Sequence, residues 1–194
     1  MLTKLRSILL KIAYPITTTI GKIQFPKSML RSSFYYTTLN EITPGDVFVT
    51  RSEWNLANLF IPGFWGHAAI YVGLNDKGEP GVIEAIGEGV TRTDLFHFLS
   101  RKDDACLLRP LFATTMQRKK AAAIAETLEH KKYDWEFRSG NDAFYCSEII
   151  GYCYNQVLKV NPFELRETLG ESTVTPEDIY KAESKFTKLA ESKV

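Results

Sequence analysis

Between residues 67 and 90 the chain reads HAAIYVG, then LNDKGEPG, then VIEAIGEGV. Two apolar runs of strand length flank a segment rich in Asn, Asp, Gly and Pro, the composition of a reversing turn. The two runs are therefore expected to pair as an antiparallel hairpin, each a buried strand. One residue resists that reading. Glu84 lies between Ile83 and Ala85 in a strand apolar on both faces, and a carboxylate there is costly unless it is paired. His67, which opens the first strand, is the candidate partner, and a carboxylate on its ring would fix the tautomer and stabilise the imidazolium. The register decides the match. A tight turn around residues 74–77, or a bulge, sets His67 opposite Glu84. A looser turn centred on Lys77 and Gly78 sets Glu88 opposite His67 instead. Glu84 is the expected acid, because Glu88 stands among glycines near the strand's end, where a solvated carboxylate is normal.

The rest of the chain divides into strands first and helices afterwards. TPGD, residues 43–46, is a turn signal opening the apolar run VFVT, with Asp46 in a turn role and a strand starting at Asp46 or Val47. The aromatic stretch RSEWNLANLFIPGFWG follows, punctuated by Pro62, Gly63 and Gly66, and reads as a loop or short helix laid over other elements. ACLLRPL, residues 105–111, is a further strand. From Thr115 to His130 Ala, Lys, Glu and Leu dominate, which favours helix. TPEDIY announces a last helix, with Thr175 as N-cap, Pro176 at the first position and two acids in the first turn. Antiparallel strands followed by packed helices make an α+β fold.

At 194 residues the chain suits one well-buried domain. A net charge of +1 supplies no dominant basic surface, so nucleic acid is not an expected partner. Three cysteines without a CxxC pair, and three histidines, suggest neither a disulfide framework nor a metal site, and no cofactor is expected. Charge is uneven along the chain. Residues 1–40 carry Lys4, Arg6, Lys11, Lys22, Lys27 and Arg31 and no acid, and Leu2, Leu5, Leu9, Ile12 and Ile16 recur at helical spacing. This segment reads as a basic amphipathic leader ahead of a domain over 41–194. Peripheral membrane contact through residues 1–24, a signal peptide and a helix docked on the domain's own core are its three readings. Pro15 falls where a cleavage site should be, which favours a cytoplasmic or membrane-associated protein over a secreted one.

The remaining signal is AFYCSEII, residues 143–150. Cys146, Ile149, Ile150, Cys153, Tyr154 and Val157 share one helical face, so both cysteines could be core residues. Position along the axis separates them. Cys146 lies in the first turn, where unpaired N–H groups and the positive dipole end favour a thiolate. Cys153 lies two turns deeper.

Taken in order, GDVFVTR, GHAAIYVGL, VIEA, KYDWEF and YCSEIIGYCY resemble the YiiX-like branch of the NlpC-type cysteine hydrolases over roughly residues 43–182. That resemblance implies a circularly permuted papain-like fold in which the histidine strand precedes the cysteine helix. It also implies Cys146 as nucleophile, His67 as general base and Glu84 as the acid that orients it. Tyr145, Tyr133, Trp65 and Trp54 are the candidate substrate-binding residues, the tryptophans because they precede His67 closely enough to wall its cleft, with ordinary packing the equal alternative. The expected activity is cleavage of amide bonds in small peptides of the cell-wall type. The competing readings are a lipid-directed acyltransferase or phospholipase with the same triad and an acyl substrate, and a non-catalytic binding protein that keeps the fold.

Overall fold

A computed structural model describes residues 30–52, 61–138, 142–168 and 171–192. Its centre is a six-stranded antiparallel sheet. The strands are β1 (Val47–Arg51), β2 (His67–Leu74), β3 (Pro80–Ile86), β4 (Gly89–Asp94), β5 (Asp104–Pro110) and β10 (Phe186–Glu191), in the order β10-β5-β1-β2-β3-β4. Two short pairs stand outside it: parallel β6 (Lys132–Tyr133) with β7 (Ala143–Phe144), and antiparallel β8 (Arg166–Thr168) with β9 (Glu171–Thr173). The helices are α1 (Ser32–Glu41), α2 (Leu95–Ser100), α3 (Thr115–Glu126), α4 (Cys146–Leu158) and α5 (Pro176–Lys181).

Strand alternation sorts the core into two layers. Val47, Val49, Ala68, Ile70, Ile83, Ala85, Cys106 and Leu108 face α3 and α4, where Ala121, Ala125, Ile149, Ile150, Cys153 and Tyr154 meet them. Phe48, Ala69, Tyr71, Val82, Ala105 and Leu107 face the other way, under Phe34 of α1 and Leu95, Phe98 and Leu99 of α2. Both faces are covered, which explains why these strands read as continuous apolar runs. The boundary that charge suggests at residue 40 falls within this second layer's cover: Leu30, Phe34 and Thr38 are all buried.

The expected strand over 82–90 is in fact two. Gly87 and Glu88 make the turn between β3 and β4, which closes on the pair Ile86–Gly89. Gly89 has φ 124°, and a Cβ there would come within 2.5 Å of the Lys131 carbonyl, so only glycine fits. Glu88 is consequently an exposed turn residue. Helix α3 ends at Glu126, short of His130, while β10 had no signal strong enough to be expected. The turn at 43–46 is more than a turn: Asp46 is fully buried and accepts hydrogen bonds from the Thr43 N–H at 2.8 Å and from Arg109 at 2.7 and 3.0 Å. It ties the entry of β1 to β5.

Candidate active site

His67 and Glu84 meet, but not as directly opposed partners. The β2–β3 register sets Glu84 opposite Ala69, with a shift between Tyr71 and Gly73. Neither of the two registers open to the sequence occurs. His67 and Ala69 point the same way, so the imidazole reaches Glu84 on the diagonal, a separation long side chains span. The turn is a five-residue loop, in which the Asn75 side-chain oxygen accepts from the N–H groups of Lys77 and Glu79.

His67 Nε2 lies 2.8 Å from Glu84 Oε2. The other oxygen, Oε1, accepts from the Thr93 hydroxyl at 2.7 Å and from Arg101 Nη2 at 2.8 Å. Glu84 is 1% exposed, and its burial alone would raise its pKa. The His67 hydrogen bond, followed by the charges of Lys102, His67 and Arg101, outweighs that and holds the carboxyl well below the usual range. The ionised form of Glu84 is therefore the favoured one at neutral pH. The cost of burying a carboxylate is met by three donors on its two oxygens.

With Nε2 engaged by Glu84, Nδ1 is the nitrogen left to face the thiol, and His67 and Cys146 are near enough to shift each other's titration. Cys146 is the first residue of α4 and 5% exposed. Burial pushes its pKa up. The hydrogen bond and charge of His67, with the backbone N–H groups of Ala68 and Ser147 directed at the sulfur, overcome this and bring it below the ordinary thiol value. Burial and the Lys102 cation push His67 down, yet its hydrogen bonds to Cys146 and Glu84 leave it raised. A thiol lowered beside an imidazole raised is the condition for a thiolate–imidazolium pair. The other two cysteines behave as core: burial pushes Cys106 up to about 12, and it raises Cys153 as well.

The helix start is held in place from two sides. Tyr145, the N-cap, donates its N–H to Glu148 at 3.3 Å. The Ser147 hydroxyl donates to the Val174 carbonyl at 2.7 Å, while the Val174 N–H donates to the Tyr145 hydroxyl at 3.4 Å. On the histidine side, Glu177 of α5 accepts the N–H groups of Phe64 and Trp65 at 2.8 and 3.1 Å. It pins the segment that leads into β2.

Of the expected substrate-binding residues, Trp54 lies outside the described residues. Trp65 is 1% exposed and packs edge-on against Phe64 and beside Tyr180, which places its indole in the core and not in a cleft wall. The Tyr145 ring packs on Phe137, and with its hydroxyl on Val174 it is a structural anchor of the helix start. Tyr133 is half-buried against Trp135. Sequence reasoning overlooked Thr93, Arg101 and Lys102. TRTD and SRKD look like solvated polar stretches, and only the fold brings them to Glu84.

A family model described as "Permuted papain-like amidase enzyme, YaeF/YiiX, C92 family" matches residues 41–192. Among solved structures, one described as the metalloprotein yiiX from Escherichia coli O157:H7 aligns with a TM-score of 0.65 at 21% identity, covering 76% of this chain and 96% of that one. At that identity the likeness concerns the fold. No curated protein matches. Among the described residues of this chain, no group of three or more His, Cys, Asp or Glu could hold a metal ion.

Proposed function

The chain belongs to the permuted papain-like amidase family, and from that premise we propose that it is a thiol hydrolase of small peptide amides, with Cys146, His67 and Glu84 as its triad. The observation that carries the reading is the continuous chain from thiol to imidazole to a buried, ionised carboxylate. A histidine packed merely as core would need no such carboxylate, and a carboxylate packed merely as a salt bridge would need only Arg101.

The thiolate of Cys146 attacks the amide carbonyl carbon, and the oxyanion that forms lies at the start of α4. The Cys146 N–H, one of the helix's unpaired donors, is placed to hold it. His67 then gives its Nδ1 proton to the leaving nitrogen, the C–N bond breaks, and a thioester remains on Cys146. Water attacks the thioester as Nδ1 takes up its proton, releasing the acid and restoring the pair. Glu84 stays ionised throughout and keeps Nε2 protonated, so that Nδ1 is always the nitrogen that exchanges the proton.

Incubation with matched amide and ester acyl probes, followed by intact-mass and peptide mapping, tests the reading. An acyl adduct on Cys146 that His67→Ala abolishes is the expected result. Absence of any adduct at Cys146, with the protein folded, overturns it.

A further inference from the structure

Lys102 is a largely buried cation beside the triad that hydrogen-bonds to none of its members. It follows α2, its N–H donating to the Leu99 carbonyl at 3.0 Å, and it is 8% exposed. Its Nζ lies 4.6 Å from the centre of the Phe98 ring, and that ring centre lies 6.2 Å from the ring centre of His67. The ammonium and the imidazole thus share one aromatic neighbour. Among the described residues the ammonium has no hydrogen-bond acceptor and no ion pair within salt-bridge distance, although the residue as a whole is largely withdrawn from solvent.

The groups that act on it are Glu84 of β3, Arg101 and Asp103 of the same loop, Cys146 of α4 and His67 of β2. None of them makes a hydrogen bond or close ion pair with the ammonium. Glu84 is the strongest of the favourable influences, but its oxygens are occupied by Arg101, Thr93 and His67. The Cys146–His67 pair is net neutral whether the proton sits on sulfur or on nitrogen. Asp103 is only half-buried and is the weakest of the influences. Nor does the cation favour the ion pair as such, because it aids the thiolate and opposes the imidazolium. Among the described residues the ammonium is thus left without a hydrogen-bonded acceptor, pointing to an anion that arrives with the substrate.

We propose that Lys102 receives a carboxylate of the substrate, so that the enzyme selects amides bearing a free carboxylate close to the scissile bond. The assignment rests on the hydrolase reading of Cys146. One ammonium, a compact point charge with an apolar ring behind it, suits a monoanionic carboxylate better than a phosphate dianion. Burial, with Arg101 opposing and Glu84 and Cys146 favouring the charge, leaves Lys102 at about 8. It is therefore mostly charged at neutral pH, and a bound carboxylate would raise it again.

Two matched pairs of substrates test this. N-succinyl-alanine p-nitroanilide against its N-acetyl analogue varies a carboxylate on the acyl side. N-acetyl-alanyl-alanine against its C-terminal amide varies one on the leaving side. Wild-type protein is expected to favour the carboxylate member of at least one pair by about 10- to 100-fold in kcat/KM, chiefly through KM. That preference should fall away in step with lysine deprotonation above pH 8. Lys102→Met should remove the preference by bringing the carboxylate member down to its neutral analogue, and Lys102→Arg should keep it and lose the alkaline limb. No preference in either pair, or an equal loss on both members that Lys102→Arg does not rescue, overturns the proposal. Should Lys102→Met not fold, Lys102→Gln and the wild-type alkaline limb decide it in the same way. Calorimetry of the same ligands on Cys146→Ala separates the two readings. Lys102-dependent carboxylate binding without turnover by wild-type protein refutes the hydrolase and upholds Lys102, whereas turnover without preference does the reverse.

Discussion

Replacing Glu84 with Gln separates the orienting role of this residue from its packing, and the geometry fixes how. The carboxylate serves three donors: His67 on Oε2, and Thr93 and Arg101 together on Oε1. An amide offers one oxygen. Placing it at Oε1 satisfies the guanidinium and the hydroxyl, and a charged donor makes the stronger claim. The NH2 group then faces His67 Nε2, which must give up its proton to accept. That moves the proton to Nδ1, the nitrogen facing Cys146, and the neutral imidazole can no longer take a proton from the thiol. Glu84→Gln is therefore expected to lower single-turnover acylation by roughly 10²- to 10⁴-fold, the range in which a wrong-tautomer substitution acts in the serine triad. Glu84→Ala leaves the tautomer free and should cost the rate less than Gln does. It should cost stability more, about 3–5 kcal/mol for a buried pair broken on one side, toward the lower end because Arg101 is 34% exposed and can turn to water. In the double variant Glu84→Gln with Arg101→Met, the amide is free to turn its oxygen to His67, and part of the rate should return. The pH profile checks the cause. Loss of the carboxylate lowers His67 and thereby raises Cys146, so the active plateau narrows from both sides. A Gln variant that acylates as fast as wild type, or one that is slower than Ala only because it is unfolded, refutes the tautomer argument. So does a larger loss at Glu88→Ala, since Glu88 is an exposed turn residue.

Cys146 is expected to be alkylated by iodoacetamide well before Cys106 and Cys153 at neutral pH, because burial raises both of the others; equal labelling in mapped peptides would contradict this. A chain starting at residue 42 loses Leu30 and the buried Phe34 from the layer over Phe48 and Leu107, and we propose that the leader ends before Leu30. Thermal melting should then show a loss of about 3–5 kcal/mol for that chain and little change for one starting at residue 29. Lys102 lies below its ordinary value in the folded protein, so between about pH 8 and 10.5 the unfolded chain holds more protons there and the stability contribution of this group rises with pH. Comparing chemical unfolding of wild type and Lys102→Met across that window should show the rise only in wild type.

Wherever local chemistry decided the outcome, the sequence was legible. Thr175 caps its helix as its type requires, accepting from the Asp178 N–H at 3.1 Å, and the continuous apolar runs of β1, β2 and β5 announced strands. Glu84 could be singled out because an acid between Ile83 and Ala85 violates the pattern around it. What stayed hidden depended on long-range geometry. The register of β2 on β3 turns on an irregularity between Tyr71 and Gly73, and no rule of composition gives its position. The turn at Gly87 and Glu88 was hidden within a run that alternates well enough to pass for one strand. Trp65 looked like a cleft wall because it is aromatic and near His67, two properties that core residues share. Arg101 and Lys102 were harder still. Adjacent basic residues after a short helix normally face solvent, and here the α2–β5 connection turns both toward Glu84. The same carboxylate that betrayed the site in the sequence is thus what gathers its unannounced members. A buried acid with two oxygens needs more donors than one histidine supplies, and that unmet demand is the signal by which Thr93 and Arg101 could have been sought. Lys102 lies beyond even that reasoning, because the oxygens of Glu84 have their donors without it; its ammonium calls for an acceptor from outside the chain.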